Sequence, residues 1–218
     1  GFCTYTNVDA DVDELAQGIG YDSPLCPITI RDFMKADGTA GSEKPRGEVG
    51  EICFSGPQIF LGYLGDPENT AKTISKDGFC YTGDVGFYDE KGLHFSGRAK
   101  LVIKPKGYQV FPEDVENHIQ EKLKDRAGMV AIVGVEHEVF SEGIMAFVEA
   151  KEEKAITPDE VLAACADISA YSRPSHVVIL KPGEIPLNRV AKTDYLNLRE
   201  RATAIVRELR TEGKWDRK

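Results

Sequence analysis

The sequence lacks the signatures of several large protein classes. Its five cysteines are scattered, with no CxxC pair, which favours reduced thiols in a cytoplasm over a disulfide framework or a zinc site. Its longest apolar runs fall far short of a transmembrane segment. It contains no Gly-x-Ser-x-Gly elbow, dinucleotide-binding glycine fingerprint or phosphate loop. None of these familiar motifs therefore accounts for its chemistry.

Positive charge is also scarce. The chain has 27 Lys and Arg against 36 Asp and Glu, a formal net charge of −9. This balance argues against a nucleic-acid partner, because such affinity rests on cations over phosphates. A local basic patch can still bind an anionic ligand. One such patch is present, since no acid interrupts Arg98, Lys100, Lys104 and Lys106.

The remaining pattern predicts an α/β (α+β) fold in two domains. Residues 1–99 form a β-rich part, and residues 100–218 a small α/β domain with a mixed sheet and about three helices. In the first part, strands are expected at 28–33 and 48–55, a short helix at 66–72 and a hairpin at 87–96. In the second, helices are expected at 112–124, 158–170 and 194–209, and strands at 129–135, 144–150 and 175–180.

The basic segment is predicted to be a strand. Residues two apart share a strand face, so Lys100, Lys104 and Lys106 would point one way, and Leu101 and Ile103 the other. The simplest interpretation is a solvated edge strand protected by lysines. A functional interpretation depends on the flanking residues.

Two of those residues flank the hairpin. Asp84 follows Thr82-Gly83, and a carboxylate on a tight turn can accept both hydroxyls of a ribose or simply cap its own turn. Arg98 can hold a phosphate or carboxylate bidentately, or form a surface pair with Asp89 or Glu90.

A third candidate lies near the last helix. Lys192 is expected on an extended loop, where its ammonium group can act on developing negative charge or simply face solvent. The four histidines show no metal-ligand spacing, which favours core or surface roles for His94, His118, His137 and His176.

The order of these motifs resembles the C-terminal part of the adenylate-forming superfamily, which includes acyl- and aryl-CoA synthetases, firefly luciferase and the adenylation domains of peptide synthetases. The segment Gly-Tyr-Gln-Val-x-Pro is more similar to acyl-CoA ligases and luciferase than to peptide-synthetase domains. The resemblance covers nearly the whole chain. The matching segments are Arg46-Gly47-Glu48 through Gly56 with Gly62-Tyr63-Leu64, then Tyr81-Thr82-Gly83-Asp84, Gly97 to Glu116, and Pro186 to Lys192.

The resemblance implies a role for each candidate. Asp84 would bind the ribose hydroxyls of ATP and of the acyl-adenylate, and Arg98 the ribose and phosphate side. Lys192 would be the catalytic lysine that bridges the carboxylate substrate and the α-phosphate during adenylation.

The basic segment would serve the second half-reaction. Lys100 occupies the hinge position about which the C-terminal domain rotates. Lys106, Gly107 and Tyr108 would line the CoA (pantetheine) channel, and Lys104 would face the adenylate.

The implied activity is an ATP-dependent carboxylate–CoA ligase with a small-molecule acid, ATP and CoA as substrates. Mg²⁺ and the phosphate-binding loop would belong mostly to the missing N-terminal part of the large domain, so these 218 residues alone are expected to be inactive. An enzyme that loads a carrier protein, or a non-catalytic nucleotide-binding or interaction module, remains an alternative. The acid and a homo-oligomeric state are left open.

Two departures from the family pattern stand out. The family usually has glycine before its catalytic lysine, where this chain has Ala191. The segment Gly1-Phe2-Cys3-Thr4 resembles a remnant of the family's G-x-T-E motif, but it lacks the glutamate that would help to hold magnesium.

Overall fold

A computed structural model describes residues 3–151 and 155–216. The chain divides into two compact units, Gly1–Lys100 and Leu101–Lys218. The segment resembling the G-x-T-E motif begins outside the described residues. No helix in the described ranges is long and apolar enough to cross a membrane.

The first unit is built around a four-stranded antiparallel meander. Its elements are β1 (Thr4–Tyr5), α1 (Val12–Gln17), β2 (Tyr21–Asp22), β3 (Ile28–Arg31), β4 (Gly50–Phe54), α2 (Pro67–Thr73), β5 (Cys80–Asp89) and β6 (Gly92–Arg98). The strands of the meander follow one another in chain order, β3-β4-β5-β6, and β1 and β2 form a separate two-stranded sheet. The short helix α2 begins as predicted, with Asp66 accepting from Asn69 N–H at its N-cap. The hairpin between β5 and β6 also turns at the predicted place.

The second unit is a three-stranded mixed sheet with helices on both faces. Its elements are α3 (Pro112–Lys122), β7 (Ala127–His137), β8 (Ser141–Ala150), α4 (Pro158–Ala164), β9 (His176–Leu180) and α5 (Tyr195–Thr211). Strand β8 pairs with β7 antiparallel and with β9 parallel. The parallel pair requires a crossover, and α4 supplies it. The predicted mixed sheet with three helices is confirmed.

Strand β8 divides the core of this unit in two. Successive side chains of a strand point to opposite faces. Ala146 and Val148 therefore pack in a cluster with residues of α3 and α4, whereas Met145 and Phe147 pack in a second cluster with residues of α5. Burial on both faces explains why β7 and β8 read as nearly continuous apolar runs.

The predicted basic strand is wrong. The chain forms 3₁₀ turns at Ala99–Leu101 and Pro105–Gly107, and between them Ile103 makes an isolated bridge with Val110. Pro105 has no N–H to donate to a ladder, and Lys106 adopts a positive φ of 49°. The lysines therefore do not share a strand face.

Helix α4 is shorter than predicted. It ends at Ala164 rather than near Ala170. The Arg173 guanidinium donates to the carbonyls of Ala166 and Ile168. Those carbonyls are therefore satisfied outside a helix, and the chain can leave the helical path early.

Candidate functional site

The Thr-Gly-Asp motif forms a bulge inside strand β5 rather than the predicted tight turn. Tyr81 lies opposite Cys53, and Val85 lies opposite Glu51. Three residues of β5, 82–84, therefore face one residue of β4. Gly83 has a φ of 75°, a left-handed conformation that glycine adopts without steric cost.

Hydrogen bonds to β4 hold this bulge in place. Gly83 N–H donates to Glu51 Oε1 at 3.0 Å, and the Thr82 hydroxyl donates to the carbonyl of Ile52 at 2.8 Å. The same hydroxyl oxygen accepts from Asp84 N–H at 3.0 Å. Glu51 is only 8% exposed, and its burial raises its pKa, although the Gly83 N–H opposes the shift. Glu51 was not among the predicted site residues; its one local signal is a charge within an apolar strand.

The bulge brings the two predicted nucleotide ligands of this unit together. Asp84 and Arg98 are cross-strand partners on β5 and β6, and Arg98 Nη1 lies 2.8 Å from Asp84 Oδ1. This contact is an ion pair without hydrogen-bond geometry, because Asp84 Oδ1 is buried and has no hydrogen-bond partner among the described residues. Burial raises the pKa of Asp84, and Arg98 opposes that shift.

This ion pair differs from a turn cap at Asp84 and from a surface pair at Arg98, the two simpler roles open to these residues. Asp84 does not cap its own turn, and Arg98 pairs with neither Asp89 nor Glu90; Asp89 lies 2.8 Å from His94 Nε2 instead. A carboxylate oxygen without a donor is suited to accept a hydroxyl group, and a guanidinium beside it is suited to an anion.

Lys104, predicted to face the adenylate, and Lys106, Gly107 and Tyr108, predicted for the CoA channel, lie on one loop of the second unit. Lys104 N–H donates to Glu142 Oε2 at 2.5 Å, and Lys106 N–H donates to the carbonyl of Phe140 at 2.7 Å. The Lys106 ammonium lies 4.8 Å from the centroid of the Phe140 ring. Tyr108 stacks on Tyr171 with ring centroids 3.9 Å apart.

A cleft of about 200 Å³ lies beside this loop. Pro105, Phe140 and Tyr171 help to line it. At the tip of the loop, Gly107 has a φ of 85°, and a Cβ there would meet nothing within 4 Å. The loop thus combines exposed backbone, aromatic rings and two lysines. Lys100, the predicted hinge residue, is the last residue of the first unit.

Lys192 lies on an exposed turn that backbone and side-chain hydrogen bonds close. Leu187 and Thr193 bridge its base, and Asn188 N–H donates to the Lys192 carbonyl at 2.7 Å. The Asn188 side-chain oxygen accepts from the N–H groups of Val190 and Lys192, at 3.0 and 3.1 Å. Ala191 has a φ of 57°. The backbone of the turn therefore holds Lys192 in a defined position and leaves its side chain in solvent.

Within residues 3–151 and 155–216, no three His, Cys, Asp or Glu side chains lie close enough together to hold a metal ion.

No family model matches the chain. It is 42% identical over 146 residues to 4-coumarate–CoA ligase 2 of Nicotiana tabacum, an overlap covering 64% of this chain and 26% of that protein. It is 36% identical over 188 residues to 4-coumarate–CoA ligase 3 of Oryza sativa subsp. japonica, covering 84% and 33%. ATP-bound MatB from Rhodopseudomonas palustris matches with a TM-score of 0.76 at 30% identity, covering 87% of this chain and 36% of that one.

The chain belongs to the adenylate-forming superfamily. It spans about a quarter to a third of the length of these ligases, and it corresponds to their C-terminal part. Within the superfamily pattern, Ala191 is the clearest departure. Its positive φ is a conformation that glycine adopts more easily than alanine does. The backbone at this position therefore has a shape suited to glycine, and alanine adopts it at a steric cost.

Proposed function

We propose that the chain is the C-terminal part of an ATP-dependent carboxylate–CoA ligase. Such an enzyme first joins a carboxylate to AMP and then transfers the acyl group to a thiol. The observation that carries the proposal is the buried Asp84 oxygen without a hydrogen-bond donor, held beside Arg98 in the bulge of β5. CoA is favoured as acceptor because the curated relatives are CoA ligases.

In this proposal the bulge binds the nucleoside. Asp84 accepts the ribose hydroxyls of ATP, which supply the donors that its buried oxygen lacks, and Arg98 turns toward the ribose and phosphate side. Nucleotide binding therefore replaces an ion pair of poor geometry by charge-assisted hydrogen bonds.

Lys192 acts in the first half-reaction. Its ammonium group bridges the carboxylate and the α-phosphate, where negative charge accumulates as the acid attacks phosphorus and pyrophosphate leaves. The hydrogen-bonded turn supports this role, because a long side chain reaches a fixed point only when its backbone is held.

The second half-reaction uses the loop at 104–108. The second unit rotates about Lys100. This rotation withdraws Lys192 from the active site and presents Lys104 to the adenylate. The thiol of CoA then attacks the acyl carbon, and AMP leaves. Lys106, Gly107 and Tyr108 line the pantetheine channel, and the open backbone at Gly107 permits a close approach by the cofactor arm.

The rest of the site would come from the large domain outside this chain. When bound, Mg²⁺ would neutralise phosphate charge, but no group of described residues fits it, so we assign it no step. The 218 residues alone are expected to be inactive, the parent enzyme cytoplasmic, and the acid a small molecule selected elsewhere. A carrier protein as acceptor, or a non-catalytic nucleotide-binding or interaction module, is the competing proposal.

The two half-reactions can be tested separately in the full-length enzyme. Lys192→Ala should abolish most carboxylate-dependent ATP–pyrophosphate exchange, yet spare thioester formation from a supplied acyl-adenylate and CoA. Lys181→Ala, which removes another exposed lysine of the same unit, is the control and should leave both rates unchanged. Equal loss of both half-reactions in Lys192→Ala would contradict the proposal. Comparing CoA with a phosphopantetheinylated carrier protein identifies the acceptor.

A further inference from the structure

Two carboxylates anchor the ends of the Lys192 turn, a buried one upstream and a partly buried one downstream. At the upstream end, Ile185 N–H donates to Glu149 Oε1 at 2.7 Å. At the downstream end, the Tyr195 hydroxyl lies 3.0 and 3.2 Å from the two carboxylate oxygens of Glu116. Neither glutamate is near the turn in sequence, and each belongs to a different element of the second unit.

The upstream anchor is buried in the core. Glu149 lies on the central strand β8 and is 5% exposed, and Ile185 is 2% exposed. Ile185 also packs in the cluster between the sheet and α5. A hydrogen bond to a buried carboxylate is stronger than one between neutral groups, and loss of the acceptor would leave a buried N–H without a partner. Residue 185 is therefore tied to the middle of the sheet.

The downstream anchor joins three elements. Glu116 of α3 also accepts from Ile132 N–H of β7 at 2.8 Å. Its burial raises its pKa, and the Ile132 and Tyr195 hydrogen bonds oppose that shift. Tyr195 is the first residue of α5. The preceding Asp194 donates its N–H to the Pro186 carbonyl at 2.8 Å, which closes the turn.

We infer that Glu116 and Glu149 are positioning residues for Lys192. Neither touches substrate in this scheme; each fixes one end of the turn whose backbone carries the lysine. The inference rests on the proposed adenylating role of Lys192. A displacement of about 1 Å can reduce a rate by about a hundredfold, so anchors of this kind should affect the adenylation step specifically.

Tyr195→Phe in the full-length enzyme is the mildest test, because it removes one hydroxyl and leaves the ring. Carboxylate-dependent ATP–pyrophosphate exchange at saturating ATP should fall about 10–100-fold, with the KM for ATP little changed. Thioester formation from a supplied acyl-adenylate should change less than about twofold, because Lys192 takes no part in it. The matched control is Tyr88→Phe, which removes a comparable hydrogen bond to Asp22 (2.8 Å) in the first unit, and it should leave both rates unchanged.

Glu149 allows a second test with a conservative partner. Glutamine keeps a carbonyl oxygen that can accept from Ile185 N–H, whereas leucine does not. Exchange should therefore fall in Glu149→Leu and remain close to wild type in Glu149→Gln, with thioester formation spared in both.

The outcomes separate the two proposals. If Lys192→Ala abolishes exchange but Tyr195→Phe and Glu149→Leu retain it, the positioning role is wrong and the proposed function stands. If these two variants lose both half-reactions equally, the anchors serve general folding and the inference is likewise overturned. If Lys192→Ala itself retains exchange, the proposed function fails, and the positioning role with it.

Discussion

Replacing Ala191 by glycine should stabilise the second unit, because Ala191 holds a backbone conformation that suits glycine. Its φ is 57°, and the residue is exposed, so little packing is lost with its methyl group. Its N–H donates to the Asn188 carbonyl at 3.0 Å, a hydrogen bond that glycine would keep. The substitution therefore isolates the backbone effect.

The magnitude follows from two opposing effects. A left-handed conformation costs an L-residue about 1–2 kcal/mol. Glycine also increases the entropy of the unfolded chain, which lowers stability by about 0.4–1 kcal/mol. The free energy of unfolding should therefore rise by about 0.5–1 kcal/mol in Ala191→Gly. For a unit of this size, that corresponds to an increase in Tm of about 2–5 °C.

Trp215 provides the assay. It is the one tryptophan in the sequence, and it lies buried in the second unit at 4% exposure, so its fluorescence during urea unfolding reports that unit. The matched control is Ala204→Gly, an exposed site within α5, which should lower stability by about 1 kcal/mol. If Ala191→Gly destabilises the unit as much as the control does, residue 191 is not left-handed in solution.

Two further substitutions test other parts of the fold. Burial raises the pKa of Glu51 above its ordinary value of 4.5, so its ionisation opposes folding, and native stability should fall as pH rises through that raised pKa. Glu51→Gln can still accept from Gly83 N–H. Its stability relative to wild type should therefore increase as the pH rises above about 4.5, measured by urea titrations followed by circular dichroism, and a flat difference would refute this. Thr157→Ala removes the N-cap acceptor of α4, 3.3 Å from Glu160 N. It should lower the free energy of unfolding by about 1 kcal/mol, measured by Trp215 fluorescence, whereas Thr157→Ser should retain most of the wild-type stability.

Local patterns in the sequence predicted most of the second unit. Helix α3 was recognisable from Val115, Ile119 and Leu123 repeating at helical spacing, and these three residues are buried in one cluster. Helix α4 was recognisable from its capping box, which the structure contains. Each signal lies within one or two turns of chain, so no tertiary information was needed to read it.

The strand predicted for the basic segment was wrong because it also rested on a local side-chain pattern. Alternation of Lys100 and Lys104 with Leu101 and Ile103 imitates the period of a strand. Pairing, however, depends on the backbone, and Pro105 and the positive φ of Lys106 prevent it. The side-chain pattern predicts a strand, but the backbone geometry determines the structure, and it is not a strand.

The supporting carboxylates could not be found in this way. Glu51 bonds a residue 32 positions away, Glu149 one 36 positions away and Glu116 one 79 positions away. A charge within an apolar segment indicates that some partner is needed. Which partner satisfies it depends on the folded topology, so the residues supporting Asp84 and Lys192 became visible only with the structure.

The β5 bulge also determines how many residues can be deleted from this strand without reversing its faces. Four steps from Tyr81 to Val85 span two steps of β4, so the bulge adds an even number of residues and both side chains stay on the same face. Deleting one residue from 82–84 would turn Val85, 1% exposed, toward the opposite face. Deleting two would keep every later side chain on its own side and remove only the bulge. Gaps at this place in related chains should therefore come in twos, and a chain shortened by two should keep its fold and lose the proposed nucleotide site.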